Sequence, residues 1–486
     1  MERLSGPSPL RGSNGIAFGP DGLLYVAEYL AGRISTVDVD TGEVRVLVPA
    51  GGPLQSPDDL AFGADGDMYV VDMAPGLVWR RTPSGELSVV AEGIRNPNGI
   101  CCLGDRLFVN EMAFGGRVLE ITGGEPRVLA EDLVLGNAMQ AGPDGRLYFP
   151  HMFPGAVHRV DPDGGVPELV ADEVPQTVAV RFDRAGVLYV LLVDDAGTIV
   201  RIDGDRRATI VTGVPGLDNA AFSAGNRMFV SSFATGGITE VLPDGTTREI
   251  VAHGFAGPWD VAVDADGGVH TADHYRIDGA LLPFAHCLAV SGDLLHFTSQ
   301  YGQTGTYDRV SGSVRTREVT LDHPLGIAVR PDGAVVIAES GAGRVLAIGA
   351  GDTVEVLAEG LGRPAGVAVD AAGRCLVSDE RHGAVYRLDD GKPVPLAEGL
   401  RAPQGLVVRD GRPIVVESGR RRLLELGGPE PRVLAEDLPV VPPRDPQPAL
   451  MVHDLPGVPR PFAGLATGPD GALHLAGNAE GSVLRR

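Results

Sequence analysis

Asn14, Asp58, Asn98, Asn137, Gln176 and Asp218 occupy one place in successive copies of a repeated motif, and each carries a side-chain oxygen. Gathered at one point, such groups could coordinate a hard cation, Ca²⁺ first with Mg²⁺ and Mn²⁺ as competitors, because carboxylates and amide carbonyls are the donors those ions prefer. They could equally cap the strands they precede and hold water, since Asn and Asp are common just before a strand. In the first copy Asn14-Gly15-Ile16-Ala17-Phe18 reads as a short apolar strand. The turn Pro20-Asp21-Gly22 follows, and then a second apolar strand, Leu24-Tyr25-Val26-Ala27, that ends in Glu28.

The motif recurs twelve times, and in the later copies the aligned residues are Trp259, His286, Leu325, Ala365, Gln404 and Ala463. A period of about 40 residues with four strands per unit is the signature of propeller blades set around an axis. Twelve blades exceed the number usual in one ring, so the sequence predicts an all-β chain of two six-bladed β-propellers, residues 1–258 and 259–486. The first strand of a blade lines the central channel. The six aligned residues of the first half should therefore converge on the axis, on the face where the second strands end. The twelfth copy stops at Arg486 after three strands, so a fourth could come from Met1 to Ser8. That exchange of a terminal strand would interlock the rings and set the twelfth blade beside the first.

Composition supports this reading and excludes other classes. Hydrophobic residues make up 43% of 486 but aromatics only 5%, and 68 Gly with 38 Pro provide the turns of an all-β protein. A net charge of −23 argues against nucleic acid and anionic membranes as partners. Cys101, Cys102, Cys287 and Cys375 form no spaced ligand pair, and the first residues have no apolar run of signal-peptide length. A cytoplasmic protein with free thiols is the expectation. No phosphate-binding glycine loop, nucleophile elbow or metal-binding His-Glu-x-x-His helix occurs, so no nucleotide cofactor is implied.

Acids close most second strands: Glu28, Asp72, Glu111, Asp273, Glu339, Asp379 and Glu417. They read mainly as carboxylates that hold the following turn or arginine, as in Gly116-Arg117-Val118. His151 replaces the acid in the fourth copy, and an imidazole there suits acid/base work. One residue further on stand Tyr29, Met73, Met112, Met152, Val193 and Phe233, with Phe114 and Phe153 close by; they describe an apolar rim over a polar floor, a pocket for a small hydrophobic molecule. The rim could instead be buried under the second ring or a protein partner. A competing cluster, His270, His274, His286 and His296, falls at and after the short seventh copy, where some strands of the blade are expected to be missing, and the Pro-rich stretch Pro439 to Pro461 could cap a mouth or cross between propellers.

Asn14-Gly15, Asp58-Asp59 and Asn96-Pro97-Asn98-Gly99 resemble inner-strand starts of the six-bladed gluconolactonase/senescence marker protein family; paraoxonases and strictosidine synthases are more distant relatives, and the whole chain resembles NHL repeats. The resemblance implies a divalent metal at the channel bottom, held by Asp58, Asn98, Asn137 and Asp218, with Asn14 where that family commonly has Glu. It also implies a nearby acid or histidine as base, for which Asp218, His151 and Glu111 are the candidates. The function expected is a metal-dependent enzyme acting on a hydrophobic lactone or ester. A lyase, isomerase or cyclase of a biosynthetic pathway is the alternative, since related propellers catalyse non-hydrolytic reactions. A non-catalytic scaffold presenting its faces to protein partners is the third.

Overall fold

The computed structural model describes every residue except Pro429, Asp445 and Pro446. Among the described residues, twelve antiparallel sheets have four strands each, and one two-stranded hairpin stands apart from them. In the first sheet the strands are Ser13–Phe18, Leu24–Glu28, Arg33–Val37 and Val44–Val48, in that spatial order. Local chemistry explains the first hairpin. Gly22 takes φ +81°, Asp21 Oδ1 accepts the Leu23 N–H at 3.2 Å, and the Tyr25 hydroxyl donates back to Asp21 Oδ2 at 3.1 Å. The fourth sheet repeats the Asp–Tyr contact with Asp144 and Tyr148 at 3.1 Å.

The chain forms two compact units. One holds Ser8–Ala256 together with Met451–Val458; the other holds Met1–Pro7, Gly257–Leu450 and Pro459–Arg486. In the first, the innermost strands of six sheets stand side by side, and Leu217–Phe222 of the sixth packs against Ser13–Phe18 of the first. In the second, Asp260–Val263 of the seventh sheet is flanked by Cys287–Ser291 of the eighth and Leu465–Thr467 of the twelfth. Inner strands approach closely: a Cβ on Gly15 would lie 2.4 Å from the Asp59 Cα, so only glycine fits there. Apolar side chains fill the spaces between sheets, as where Ile16, Leu24, Val26 and Val37 meet Phe229 and Ile238.

Several expectations need correction. The fourth strand of the twelfth sheet is Glu2–Arg3, paired through Glu2↔Arg485 and Arg3↔Leu484, but that sheet adjoins the seventh and eleventh rather than the first. The terminal residues 1–7 therefore fall in the second unit, and 451–458 in the first, which a single cut at 258 does not capture. No strand of the seventh sheet is missing: Asp260–Val263, Val269–Ala272, His274–Ile277 and Ala280–Ala285 form it, compressed by a one-residue link at Asp273. Gln176 is exposed and lies off the inner strand, with φ +56°. Val178 stands at the place of Asn14, because Phe182↔Leu188 and Val180↔Val190 match Phe18↔Leu24 and Ile16↔Val26. The physical reason is Arg181, which interrupts the apolar triplet Val180-Arg181-Phe182 and makes Val178-Ala179-Val180 read as the triplet instead.

Candidate functional site

In the first, second, third and sixth sheets, the residue aligned with Asn14 sits in a β-bulge at the start of the inner strand. A bulge re-aims its side chain. Asn14, Asp58, Asn98 and Asp218 are thereby buried at one level of the first unit's axis; Asn137, just ahead of the fourth inner strand, is buried as well, and Val178 completes the ring. Asn14 Nδ2 donates to Asp58 Oδ2 at 3.4 Å, and Asn98 Nδ2 to the Met112 sulfur at 3.3 Å. Asn137 Oδ1 accepts the Ala138 N–H at 2.7 Å. The side-chain oxygens of Asn14 and Asn98 are buried without a partner among the described residues, an expensive condition for a carbonyl.

Deeper in the channel lie three groups that the aligned positions do not identify: Asp59 and Asn219 one residue on, and Arg181 three residues past Val178. Asp59 Oδ1 accepts from Asn219 Nδ2 at 3.0 Å, and Arg181 Nη2 approaches Asp59 Oδ2 at 3.4 Å. Arg181 is only 8% exposed, and three of its other N–H groups donate to the carbonyls of Ala220 (3.0 Å), Met139 (3.0 Å) and Val180 (2.9 Å). The equivalent residues in the same unit are Ala17, Ala61, Cys101, Gln140 and Ala221, each paired with a Tyr or Phe of the second strand. A cation replacing these smaller, uncharged residues was the signal available in the sequence.

Burial, reinforced by the charge of Asp59, pushes the Asp58 carboxyl up to about 8, against the opposing hydrogen bond from Asn14. Burial, then Asp58 and Asp59, holds Asp218 well above the carboxylate range, with Arg181 pulling the other way. Asp59 is also raised by burial, with Arg181 opposing. Once ionised, the three carboxylates face one guanidinium and carry two negative charges in excess, the amount that one divalent cation cancels; without a cation, burial favours their protonated forms. The two orphaned amide oxygens supply further hard donors. The ring thus fits a cation of the Ca²⁺, Mg²⁺ or Mn²⁺ type in charge and donor chemistry. Carboxylates alone do not suffice: no group of three His, Cys, Asp or Glu among the described residues is placed to hold a metal by itself.

Above the ring, Tyr29 and Met73 are buried and Met112, Met152, Val193 and Phe233 half-buried. Burial and the charge of Asp58 raise the Tyr29 hydroxyl, which ties this residue to the ring. Phe114 and Phe153 stand further out, 67% and 46% exposed. The Pro-rich stretch contributes a hairpin, Met451–Val452 paired with Leu455–Pro456; Asp445 and Pro446 of that stretch lie outside the described residues. Asn96 Nδ2 donates to the Val452 carbonyl at 3.1 Å, two residues before Asn98, so the hairpin lies over the mouth of this ring.

His151 and Glu111 do not join the ring. The end of a second strand faces its own third strand, and both side chains follow that direction. His151 lies 4.6 Å from His158 between ring centres, accepts the Val134 N–H at 3.3 Å, and is pushed by burial to about 4. Burial would raise Glu111, but Arg117 and Arg95, at 2.6 and 2.9 Å, more than reverse this and hold it below its ordinary value. Glu28 likewise binds Arg33 and Ser35 at 2.6 Å, and Glu417 binds Arg420 and Arg422.

The second unit inverts the pattern. Trp259 and His286 stack at 5.2 Å at the ring level, followed by Leu325, Ala365, Gln404 and Ala463, while the rim is polar: His274, Gln300, Ser340, Glu380, Ser418 and Asn478. This rim grips the chain itself. Gln300 exchanges hydrogen bonds with the Arg460 backbone at 2.7 and 2.8 Å, Glu380 binds the Arg460 guanidinium, Gln404 Nε2 donates to the Pro461 carbonyl, and Asn478 Nδ2 to that of Phe462. Burial pushes His274 to about 3. His274 and His286 pack with Trp259, whereas His270 is set apart between Asp264 and Asp278 and His296 pairs with Thr306 at 2.9 Å in its own sheet. The four cysteines are free thiols, and no helix is long and apolar enough to cross a membrane among the described residues.

Six sheets around each axis, every one with its first strand innermost, decide the architecture. The chain is a β-propeller protein. No protein-family profile and no curated protein matches it. Solved structures similar to this propeller include virginiamycin B lyase from Staphylococcus aureus, at 17% identity over 62% of this chain and 94% of that one, TM-score 0.41. A protein assigned as a gluconolactonase is 16% identical over 52% and 92%, TM-score 0.42. Regucalcin, a calcium-binding protein from Agrobacterium tumefaciens, is 20% identical over 47% and 84%, TM-score 0.39. Likeness at these levels carries no argument about the site, and one propeller fold serves many activities.

Proposed function

We propose that the first propeller is an enzyme acting on a hydrophobic lactone or ester, with a divalent cation held by Asp58, Asp218, Asn14 and Asn98 and flanked by Asn137. Such a cation, when bound, supplies polarisation of a carbonyl oxygen and acidification of water. The chain's own residues do the rest. Tyr29, Met73, Met112, Met152 and Phe233 bind the apolar body of the substrate, and the hairpin at Val452 excludes water from the mouth. Asp218 takes the mobile proton in preference to His151 or Glu111, because it belongs to the ring and they do not. The observation that carries this reading is the pair of buried, unpartnered amide oxygens beside carboxylates in excess of cations.

Asp58 favours a second reading. A carboxyl titrating near 8 is protonated at neutral pH and can donate as well as accept, which suits a lyase, isomerase or cyclase on a hydrophobic substrate. Release of acid from a panel of aliphatic lactones and aryl esters, followed with and without added Ca²⁺, separates the two. Hydrolysis lost by at least about 100-fold in Asp218→Asn supports the first reading. Failure to hydrolyse any member, with Ca²⁺ bound, leaves the second.

A further inference from the structure

We propose that the first propeller carries another small-molecule site, at the far end of its channel, that takes an apolar monocarboxylate. A cavity of about 430 Å³ opens there, among the ends of the inner strands rather than their starts. Phe18, Phe182 and Phe222 are among its walls, Gln140 and Arg181 offer donors within it, and Arg184 is part of its lining. Its size falls in the range of small-ligand pockets, and it mixes apolar walls with polar groups that converge on one space.

The donors are placed for a carboxylate. Arg181 has five N–H groups; three point at backbone carbonyls and one makes a long 3.4 Å contact with Asp59, which leaves one. Gln140 spends its carbonyl on the Phe182 N–H at 2.8 Å, so its amide N–H groups are the part it can offer a ligand. Asp183, the acid of the lining, has its Oδ1 engaged by the N–H groups of Ala185 and Val187, both at 2.9 Å. Two arginines and one aspartate line the cavity; Arg181 also contacts Asp59, so Arg184 supplies the positive charge that has no acid opposite it in the lining. A guanidinium with an amide beside it recognises a carboxylate, and the phenylalanines and alanines take an apolar body.

The second propeller provides an internal control. Its own cavity, about 280 Å³, is lined at the places equivalent to Arg181 by Ala262, Ala289, Ala328, Ala368, Val407 and Ala466, and its charged residue is Asp260. An anion has no partner there.

The probe is 4-phenylbutyrate, titrated calorimetrically into the full chain, with 4-phenylbutanol as its uncharged counterpart. One saturable site per chain is expected, with the alcohol at least about 10-fold weaker. Gln140→Glu keeps the acceptor for Phe182 but adds a negative charge, and should weaken the acid at least 10-fold. Phe222→Trp fills the cavity without touching the guanidinium and should abolish binding. Asp58→Asn with Asp218→Asn should leave it unchanged. Absence of saturable binding at millimolar probe, equal affinity for the alcohol, binding that survives Phe222→Trp, or binding lost in the double aspartate variant would each overturn the proposal.

Discussion

The two propellers solve the same problem, what to put at the mouth of a channel, in opposite ways. The second sets a polar rim over a largely apolar ring and commits Gln300, Asn478 and the ring's Gln404 to its own backbone at Arg460-Pro461-Phe462, while His274 Nδ1 and Trp259 Nε1 stay buried without a partner among the described residues. The first sets an apolar rim over a polar ring and leaves two amide oxygens unsatisfied. A repeat that closes its polar groups internally has spent them on structure; one that leaves them open and buried has kept them for a ligand.

The comparison can be broken by substitution. Glu380→Ala leaves the half-buried Arg460 guanidinium unpaired and should destabilise the second propeller by about 2–4 kcal/mol in urea unfolding. A cost below about 1 kcal/mol would show that the rim does not hold the segment at Arg460. Next in size, Gln404→Ala removes contacts to Glu380, Pro461 and Ala463 and should cost about 1–3 kcal/mol, whereas Gln176→Ala at the same sequence-aligned place should stay within about 0.5 kcal/mol. Equal costs would contradict the register that puts Val178, not Gln176, on the axis.

Acidity sharpens the contrast. The folded pKa of Asp58 lies above its unfolded value, so its contribution to stability is whole below 3.8 and is lost as pH rises towards about 8. Thermal unfolding with a chelator should therefore show the first propeller weakening across that window, and saturating Ca²⁺ should reduce the loss. A flat profile with chelator would remove the electrostatic argument for a cation. In the second propeller, His270 is raised by Asp278 and Asp264, so its stabilisation is present below 6.5 and lost as pH rises through the higher folded value. His270→Gln should flatten that smaller slope, and an unchanged slope would place its origin elsewhere.

Much of this was legible in the chain because each sheet obeys a local code. Asp-Gly turns fix the hairpins, and apolar triplets fix the inner strands, so Asn14, Asp58, Asn98, Asn137 and Asp218 could be aligned to one level of the axis. The code fails where a residue departs from it for another reason. Arg181 stands in an apolar triplet, which displaced the alignment to Gln176 and hid the cation that binds Asp59. His151 and Glu111 were drawn towards the site by their chemistry, but strand direction turns them towards their own third strands. The polar rim of the second propeller was only partly visible, since the partners of Gln300 and Asn478, Arg460 and Phe462, come from the long segment between the eleventh and twelfth sheets.

The central claim is that the open ring of the first propeller holds a divalent cation. Elemental analysis by plasma mass spectrometry tests it most directly, on protein equilibrated with Ca²⁺ and gel-filtered, comparing the natural chain with Asp58→Asn/Asp218→Asn. About one Ca²⁺ per chain in the natural protein and none in the variant is the result predicted from the two uncompensated charges. Equal metal content in both, or none in either with the fold intact, would contradict it.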